Sequence, residues 1–191
     1  MTIKSEVRIM DKAAIKRVLL KISHEILARN KGPKKLVLVG LQTRGVFIAR
    51  RIAAMIESIE KTAINVGILD VTMYRDDFRA KMKQPSVQVT SIPFDVDGTS
   101  IVLVDDVLFT GRTIRAALDA IMDFGRPKKI QLAVLIDRGL RELPLAADYI
   151  GDTVKTQPNQ EIRVRMTELE EDGTDEVTLV TLADDDEKGD L

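Results

Sequence analysis

The residues best placed to do chemistry are Asp105 and Asp106, adjacent carboxylates that lead into the small-residue turn Thr110-Gly111-Arg112-Thr113. Ile101 to Val104 before them are apolar without alternation, the pattern of a strand covered on both faces. After the turn, Ile114, Leu118, Ile121 and Met122 recur at helical spacing. Strand, loop and helix in that order aim backbone N–H groups and a helix N-terminus at a bound phosphate. The two acids would repel the phosphate itself. They suit neighbouring hydroxyls, for which a carboxylate is a strong acceptor. A sugar phosphate satisfies both halves, while an α/β turn with Asp caps and no ligand is the competing reading. A Walker-type loop is excluded, because no Gly-Lys-Ser/Thr triplet occurs.

The elements that must position this stretch are legible on both sides of it. Lys35 to Gly40 reads as a second buried strand, ending in Gly40-Leu-Gln-Thr-Arg-Gly45 before a helix from Val46 to Ile59. Loops at strand C-termini share one rim in a parallel α/β sheet. Thr43, Arg44 and the amides there suit a pyrophosphate group, or form a simple βα turn. Asn65 to Tyr74 reads as a third strand. Arg75, Asp76, Asp77, Arg79, Lys81 and Lys83 follow without apolar periodicity up to Ser91, a length that favours an active-site lid over a plain surface loop. Gly125-Arg-Pro127 stops the helix after the acidic pair, and Lys129 to Ile136 is the next strand. Glu161 to Met166 and Glu176 to Leu182 alternate like a hairpin, with Asp172-Gly173 at its turn.

Near the N-terminus, Val7 to Ile9 reads as a short strand and Asp11 as the N-cap of a helix whose apolar face is Ile15, Leu19, Ile22 and Ile26. Arg17, Lys21, His24 and Lys31 fall on roughly the opposite side, either a solvated face or a stripe suited to RNA phosphates. The 191 residues fit a single α/β domain, 1–182, followed by an acidic tail, 183–191, expected to be disordered. There is no cysteine and one histidine, so disulfides, thiolate metal sites and Cys-His catalysis are excluded, and a Ser-His-Asp arrangement is disfavoured. No apolar run approaches a membrane span and no signal region is seen, which places the chain in the cytoplasm. The net charge of −1 hides a split: from Glu168 onward there are eleven acids and one lysine, against 28 Lys and Arg and 19 acids before it. A basic body of this kind suits an anionic partner.

The stretch from 101 to 114 resembles the PRPP-binding motif of the type I phosphoribosyltransferases, in which apolar residues lead into two acids and then Thr-Gly-x-Thr. Gly40 to Gly45, Thr72-Met-Tyr-Arg-Asp-Asp77, Val104 to Thr113, Gly125-Arg-Pro127, Asp137-Arg-Gly139, Arg141-Glu-Leu-Pro144 and Ala147-Asp-Tyr-Ile-Gly151 stand in order. Together, across residues 5 to 182, they look like the bacterial PyrR family. That resemblance implies a central, mostly parallel sheet flanked by helices, with a flexible active-site loop. It also implies a small hood, mainly 137–160 plus N-terminal residues.

As activities it implies UMP formation from uracil and PRPP, with Mg²⁺ bound along with PRPP and no direct metal ligand. UMP-dependent binding of pyr leader mRNA and assembly as a homo-oligomer come with it. Asp105, Asp106 and Arg44 would be catalytic. PRPP and UMP would touch Thr43, Arg44, Asp105, Asp106, Val107, Leu108, Phe109, Thr110, Gly111, Arg112, Thr113, Arg138 and Val154. Arg75, Asp76, Asp77 and Arg79 would form the flexible loop, and Arg17, Lys21, His24 and Arg29 the RNA face. Leu140, Ala146 and Asp152 depart from the His, Arg and Lys usual in RNA-binding members. The alternative is a phosphoribosyltransferase without RNA binding, or one acting on another base.

Overall fold

The computed structural model describes residues 2–72 and 89–183. The expected lid residues Arg75, Asp76, Asp77 and Arg79 and the acidic tail beyond Ala183 lie outside them. Strands β2 (Leu36–Leu41), β3 (Asn65–Leu69), β4 (Ser100–Leu108), β5 (Lys129–Asp137) and β6 (Tyr149–Thr153) form one sheet in the order β3-β2-β4-β5-β6. Every neighbouring pair in it is parallel. From β2 the chain goes to β3 on one side and then to β4 on the other. In an open α/β sheet, the crevice outside the strand C-termini at such a reversal is where ligands settle.

Both faces of this sheet are covered, which explains its unbroken apolar strands. Leu36, Leu38, Val102, Val104, Ala133 and Leu135 turn to helices α1 (Lys12–Asn30) and α2 (Arg44–Glu60). Val37, Val39, Ile101, Leu103, Leu132 and Val134 turn to α3 (Arg112–Met122). This is the period-2 alternation of a strand, read on two buried sides. Ile15, Leu19, Ile22 and Ile26 of α1 are all at most 1% exposed, as the spacing predicts. Each such side chain contributes about 1.5–3 kcal/mol by leaving water. Asp11 caps α1, its Oδ1 accepting the Ala14 amide at 2.7 Å.

A second, antiparallel sheet is built from β1 (Ile3–Met10), β8 (Glu176–Leu182) and β7 (Gln160–Arg165), in the order β1-β8-β7. Its Val164 and Val177, with Met166, join the α1 and α2 side of the core. Of the span 137–160 expected to form the hood, β6 is instead the edge strand of the parallel sheet.

Several boundaries differ from expectation. β1 is longer than 7–9, because β8 supplies a partner along its whole length. β3 ends at Leu69 rather than Tyr74, since Asp70 leaves the ladder and turns its carboxylate to the Thr72 amide and hydroxyl at 2.9 and 2.6 Å. β4 continues to Leu108, so Asp105 and Asp106 sit inside the strand; Asp105 pairs with Val134 and Val107 with Ile136 of β5. In α3, Met122 is exposed and Leu118 only half-buried, while Ala116, Ala117 and Ala120 are buried. Three alanines let this helix approach the sheet closely, so its contact stripe is narrower than the larger residues suggested.

Candidate functional site

The reversal point carries a cleft of about 390 Å³, lined by Gln42, Asp105 to Gly111, Thr113, Ile114, Arg138, Glu161 and Ile162. Two close backbone approaches shape it. A Cβ on Gly45 would collide with the Val104 carbonyl, and one on Gly40 with Val46, so the β2–α2 turn lies directly against the end of β4. The Gln42–Thr43 peptide in that turn is cis, and Thr43 sits at the N-cap of α2.

Asp105 is buried at 8% exposure and Asp106 is half-buried. Each carboxylate accepts the next amide, Asp106 N–H at the first and Val107 N–H at the second, both at 2.9 Å. Those bonds hold the carboxylates along the strand edge facing the cleft. The chain then turns through Gly111, whose φ of 94° is a conformation glycine adopts without steric cost. Helix α3 begins at the next residue, and the first-turn amides of a helix point outward as anion donors. Thr110 stiffens the turn: its carbonyl accepts the Glu142 and Leu143 amides at 3.0 and 3.1 Å.

Arg138, only 8% exposed, closes one end of the cleft. Its guanidinium lies 3.9 Å from the Phe109 ring centroid, a cation–π stack. Nε donates to Thr156 Oγ1 at 3.0 Å and Nη2 to the Gln160 carbonyl at 2.6 Å. Burial pulls its pKa below the ordinary arginine value, against the opposing charge of Glu161. Arg141 acts as a staple. It donates to the Phe109, Gly139 and Leu145 carbonyls at 2.7, 3.0 and 3.1 Å, and to Asp137 at 2.5 Å. One guanidinium thus ties the turn after β4 to the loop after β5.

A family model described as a phosphoribosyl transferase domain matches residues 8–171. The Bifunctional protein PyrR of Pelotomaculum thermopropionicum is 54% identical over 181 residues, covering 95% of this chain and 99% of its own. This chain belongs to the PyrR family. The Bifunctional protein PyrR of Clostridioides difficile is likewise 54% identical, over 172 residues that span 90% of this chain and 96% of that one. Among solved structures, a hypoxanthine phosphoribosyltransferase of Trypanosoma cruzi aligns with a TM-score of 0.68 at 14% identity, covering 92% of this chain and 97% of its own. A hypoxanthine-guanine phosphoribosyltransferase of Bacillus anthracis aligns at 0.67 and 15%, covering 96% of this chain and 100% of its own. At such identities these two speak for the fold alone, which is the type I phosphoribosyltransferase fold.

In this PyrR family member, the structure gathers Asp105, Asp106, Val107, Leu108, Phe109, Thr110, Gly111, Thr113 and Arg138 around one cleft. Thr43, Arg44, Arg112 and Val154 are not among its lining residues. Arg44 turns away to Asp172, with Nη2 at 3.1 and 3.2 Å from the two carboxylate oxygens. Arg112 pairs with Glu142 at 2.7 Å. Val154 packs against the α1 side of the core, its amide donating to the Asp137 carbonyl at 2.9 Å. Gln42, Ile114, Glu161 and Ile162 line the cleft without having been singled out. Gln42 lies inside the recognised loop. Glu161 and Ile162 come from β7, far along the chain, where alternation marked a strand and no local pattern pointed to a site.

On α1, Arg17, Lys21, His24 and Arg29 are all exposed. Arg29 is paired with Asp148 at 2.9 Å, whereas Lys21 lies 3.8 Å from Glu25 and donates to the Ile150 carbonyl at 3.5 Å. Leu140, Ala146 and Asp152 are exposed as well.

Proposed function

We propose that this chain transfers the phosphoribosyl group of PRPP to uracil, giving UMP and pyrophosphate, and that it is a UMP-responsive regulator binding pyr leader mRNA. The observation that carries the enzymatic reading is the cleft itself: two in-strand carboxylates beside a glycine turn and a helix N-terminus, at the sheet's reversal point. In this reading Asp105 and Asp106 accept the ribose hydroxyls while residues 107 to 113 hold the 5′-phosphate. N1 of uracil, losing its proton, bonds to the ribose carbon as pyrophosphate departs with the electron pair. The positive charge developing on the ribose is stabilised by the nearby carboxylates, as in glycoside cleavage. Arg138 stacked on Phe109 walls the base side, and Thr43 with Arg44 meets the pyrophosphate once Arg44 leaves Asp172.

Magnesium fits this donor set. It takes hard oxygen ligands, and one or two carboxylates with substrate phosphates suffice. Asp105 and Asp106 offer such carboxylates at the cleft, while no group of three or more His, Cys, Asp or Glu able to hold an ion by itself occurs among the described residues. When bound with PRPP the ion would neutralise the leaving pyrophosphate. Among the described residues no helix is long and apolar enough to cross a membrane. The substrates of this reading place the chain in the cytoplasm.

Assays with uracil, hypoxanthine, guanine and orotate decide the base. Uracil should be used with a kcat/KM at least about tenfold above the others, since a base pocket built on polar contacts rejects mismatched bases strongly. Preference for a purine would overturn the uracil assignment and leave the phosphoribosyl chemistry standing. We further propose a homo-oligomer, on the family's behaviour; light scattering at micromolar protein should give a mass of two chains or more, and a single-chain mass would sink it. The second reading, a plain salvage enzyme without RNA binding, draws on two observations: Arg29 is paired with Asp148, and Asp152 puts a carboxylate on the exposed surface.

A further inference from the structure

A strongly positive surface lies at the opposite end of the sheet from the catalytic cleft. A concavity of about 450 Å³ is lined by Arg29, Lys31, Lys34, Lys35, Lys128 and Lys129, with Asn30, Gly98 and Ser100. It sits where β2, β4 and β5 begin, at residues 36, 100 and 129. No carboxylate lines it. Asp148 offsets Arg29, and no ion pair among the described residues holds the five lysines. Self-repulsion among them is the cost of an arrangement that does nothing for the fold.

The lysines are also placed by backbone rather than left on loose loops. Ser100 N–H donates to the Lys35 carbonyl and Lys128 N–H to the Thr99 carbonyl, both at 2.8 Å. Gly98 N–H reaches the Arg126 carbonyl at 3.0 Å, so the three segments are sewn together at the strand starts. Lys35 holds φ at 58°, where a residue with a Cβ costs about 1 kcal/mol more than glycine. Lys31 has the same φ, but at the C-terminus of α1 a cation is also favoured by the helix dipole. Lys35 takes its φ as the third residue of the Pro33–Leu36 turn, which the Leu36 amide closes on the Pro33 carbonyl at 3.1 Å.

We propose that this concavity is a second contact surface for the RNA phosphate backbone, continuous through Arg29 and Lys31 with the exposed basic face of α1. The inference rests on the RNA reading given above. The cleft has six cations from separate segments and no aromatic side chain on which a base could stack. That composition suits sequence-independent phosphate contacts and not recognition of a free nucleotide. The α1 face supplies Arg17, Lys21 and His24 upstream of it, over a helix about 28 Å long by its rise per residue. A run of several phosphates can therefore follow one surface. The catalytic cleft lies at the other ends of the same strands, so RNA held here leaves PRPP access open.

The test uses the full chain and a pyr leader RNA in gel-shift titrations at two salt concentrations, with UMP present. Lys34→Gln with Lys128→Gln should weaken binding about tenfold or more and flatten the salt dependence by roughly 1.4–1.8 log units per log unit, two phosphate contacts' worth. Uracil phosphoribosyl transfer should be unchanged, as neither residue lines the catalytic cleft. Lys21→Glu reports separately on the α1 face. If it abolishes binding while the double variant matches wild type in affinity and slope, the second surface is refuted and the RNA reading survives. No complex with the wild-type chain would remove both. Calorimetry with tripolyphosphate supplies the remaining arm: uptake that depends on Lys34 and Lys128, with RNA affinity untouched in the double variant, would make this a small-polyanion site and overturn the proposal.

Discussion

UMP formation from uracil and PRPP should fall about a thousandfold in kcat in the Asp105→Asn, Asp106→Asn double variant, with the fold retained. The magnitude follows from losing charge at the point where the ribose becomes cationic, where one misplaced or missing electrostatic partner costs a hundredfold to a thousandfold. The fold should survive because an asparagine Oδ1 can still accept the Asp106 and Val107 amides that the present carboxylates accept at 2.9 Å. Circular dichroism and the melting temperature check the second half of that statement. Turnover equal to wild type in a folded variant would take both residues out of the chemistry.

Arg51→Ala should be strongly destabilising although it lies outside the site. Its guanidinium makes paired contacts to Asp175 at 2.8 and 3.0 Å and to Glu168 at 2.6 and 2.8 Å, joining α2 to the connection between β7 and β8. The Asp175 side chain is 4% exposed. Burial would push its pKa up, but the Arg51 and Thr167 hydrogen bonds and the Arg51 charge hold it below the ordinary aspartate value. Removing Arg51 strands that charge, a loss of about 3–5 kcal/mol. For a chain of this length the melting temperature should drop by about 10 °C.

The sign of the pH dependence is set by the same pair. A depressed aspartate pKa contributes stability above the unfolded value, and that contribution is lost as pH falls through the folded one. Wild type should therefore lose more stability than Arg51→Ala on acidification below the ordinary aspartate range. Replacing both partners, Arg51→Met with Asp175→Leu, should recover much of the loss, since an apolar pair leaves no orphaned charge. A melting temperature for Arg51→Ala within 2 °C of wild type would show that the pair contributes little.

What was legible in the sequence was whatever local chemistry encodes. The apolar run before Asp105, the Thr110-Gly111 turn and the glycines at 40 and 45 each announce a βα junction of a parallel sheet. The structure places those junctions side by side. What was not legible depends on partners distant in the chain. Nothing near Arg44 says that Asp172 will hold it, and nothing near Glu161 says that β7 will lie along the cleft. The same holds for β4: its apolar stretch ends at Val104, yet pairing with β5 carries the strand to Leu108, because neighbouring backbone and not side-chain polarity decides where a ladder stops. On α3 the apolar spacing marks the helix and Leu118 packs against its core, while Met122 stays exposed and Ala116, Ala117 and Ala120, which carry little hydrophobic signal, are buried.

The second sheet bears on how the chain comes off the ribosome. Among the described residues β1 pairs with β8 alone, with Ile3 opposite Leu182 and Met10 opposite Val177. Eight residues at the start must therefore wait, with their backbone groups served by water, until almost the whole domain has been synthesised. The parallel sheet can assemble in that interval from strands close in sequence, whereas closing so long a loop is entropically slow. The order of synthesis thus leaves the β1 ladder to form last, once β8 has emerged.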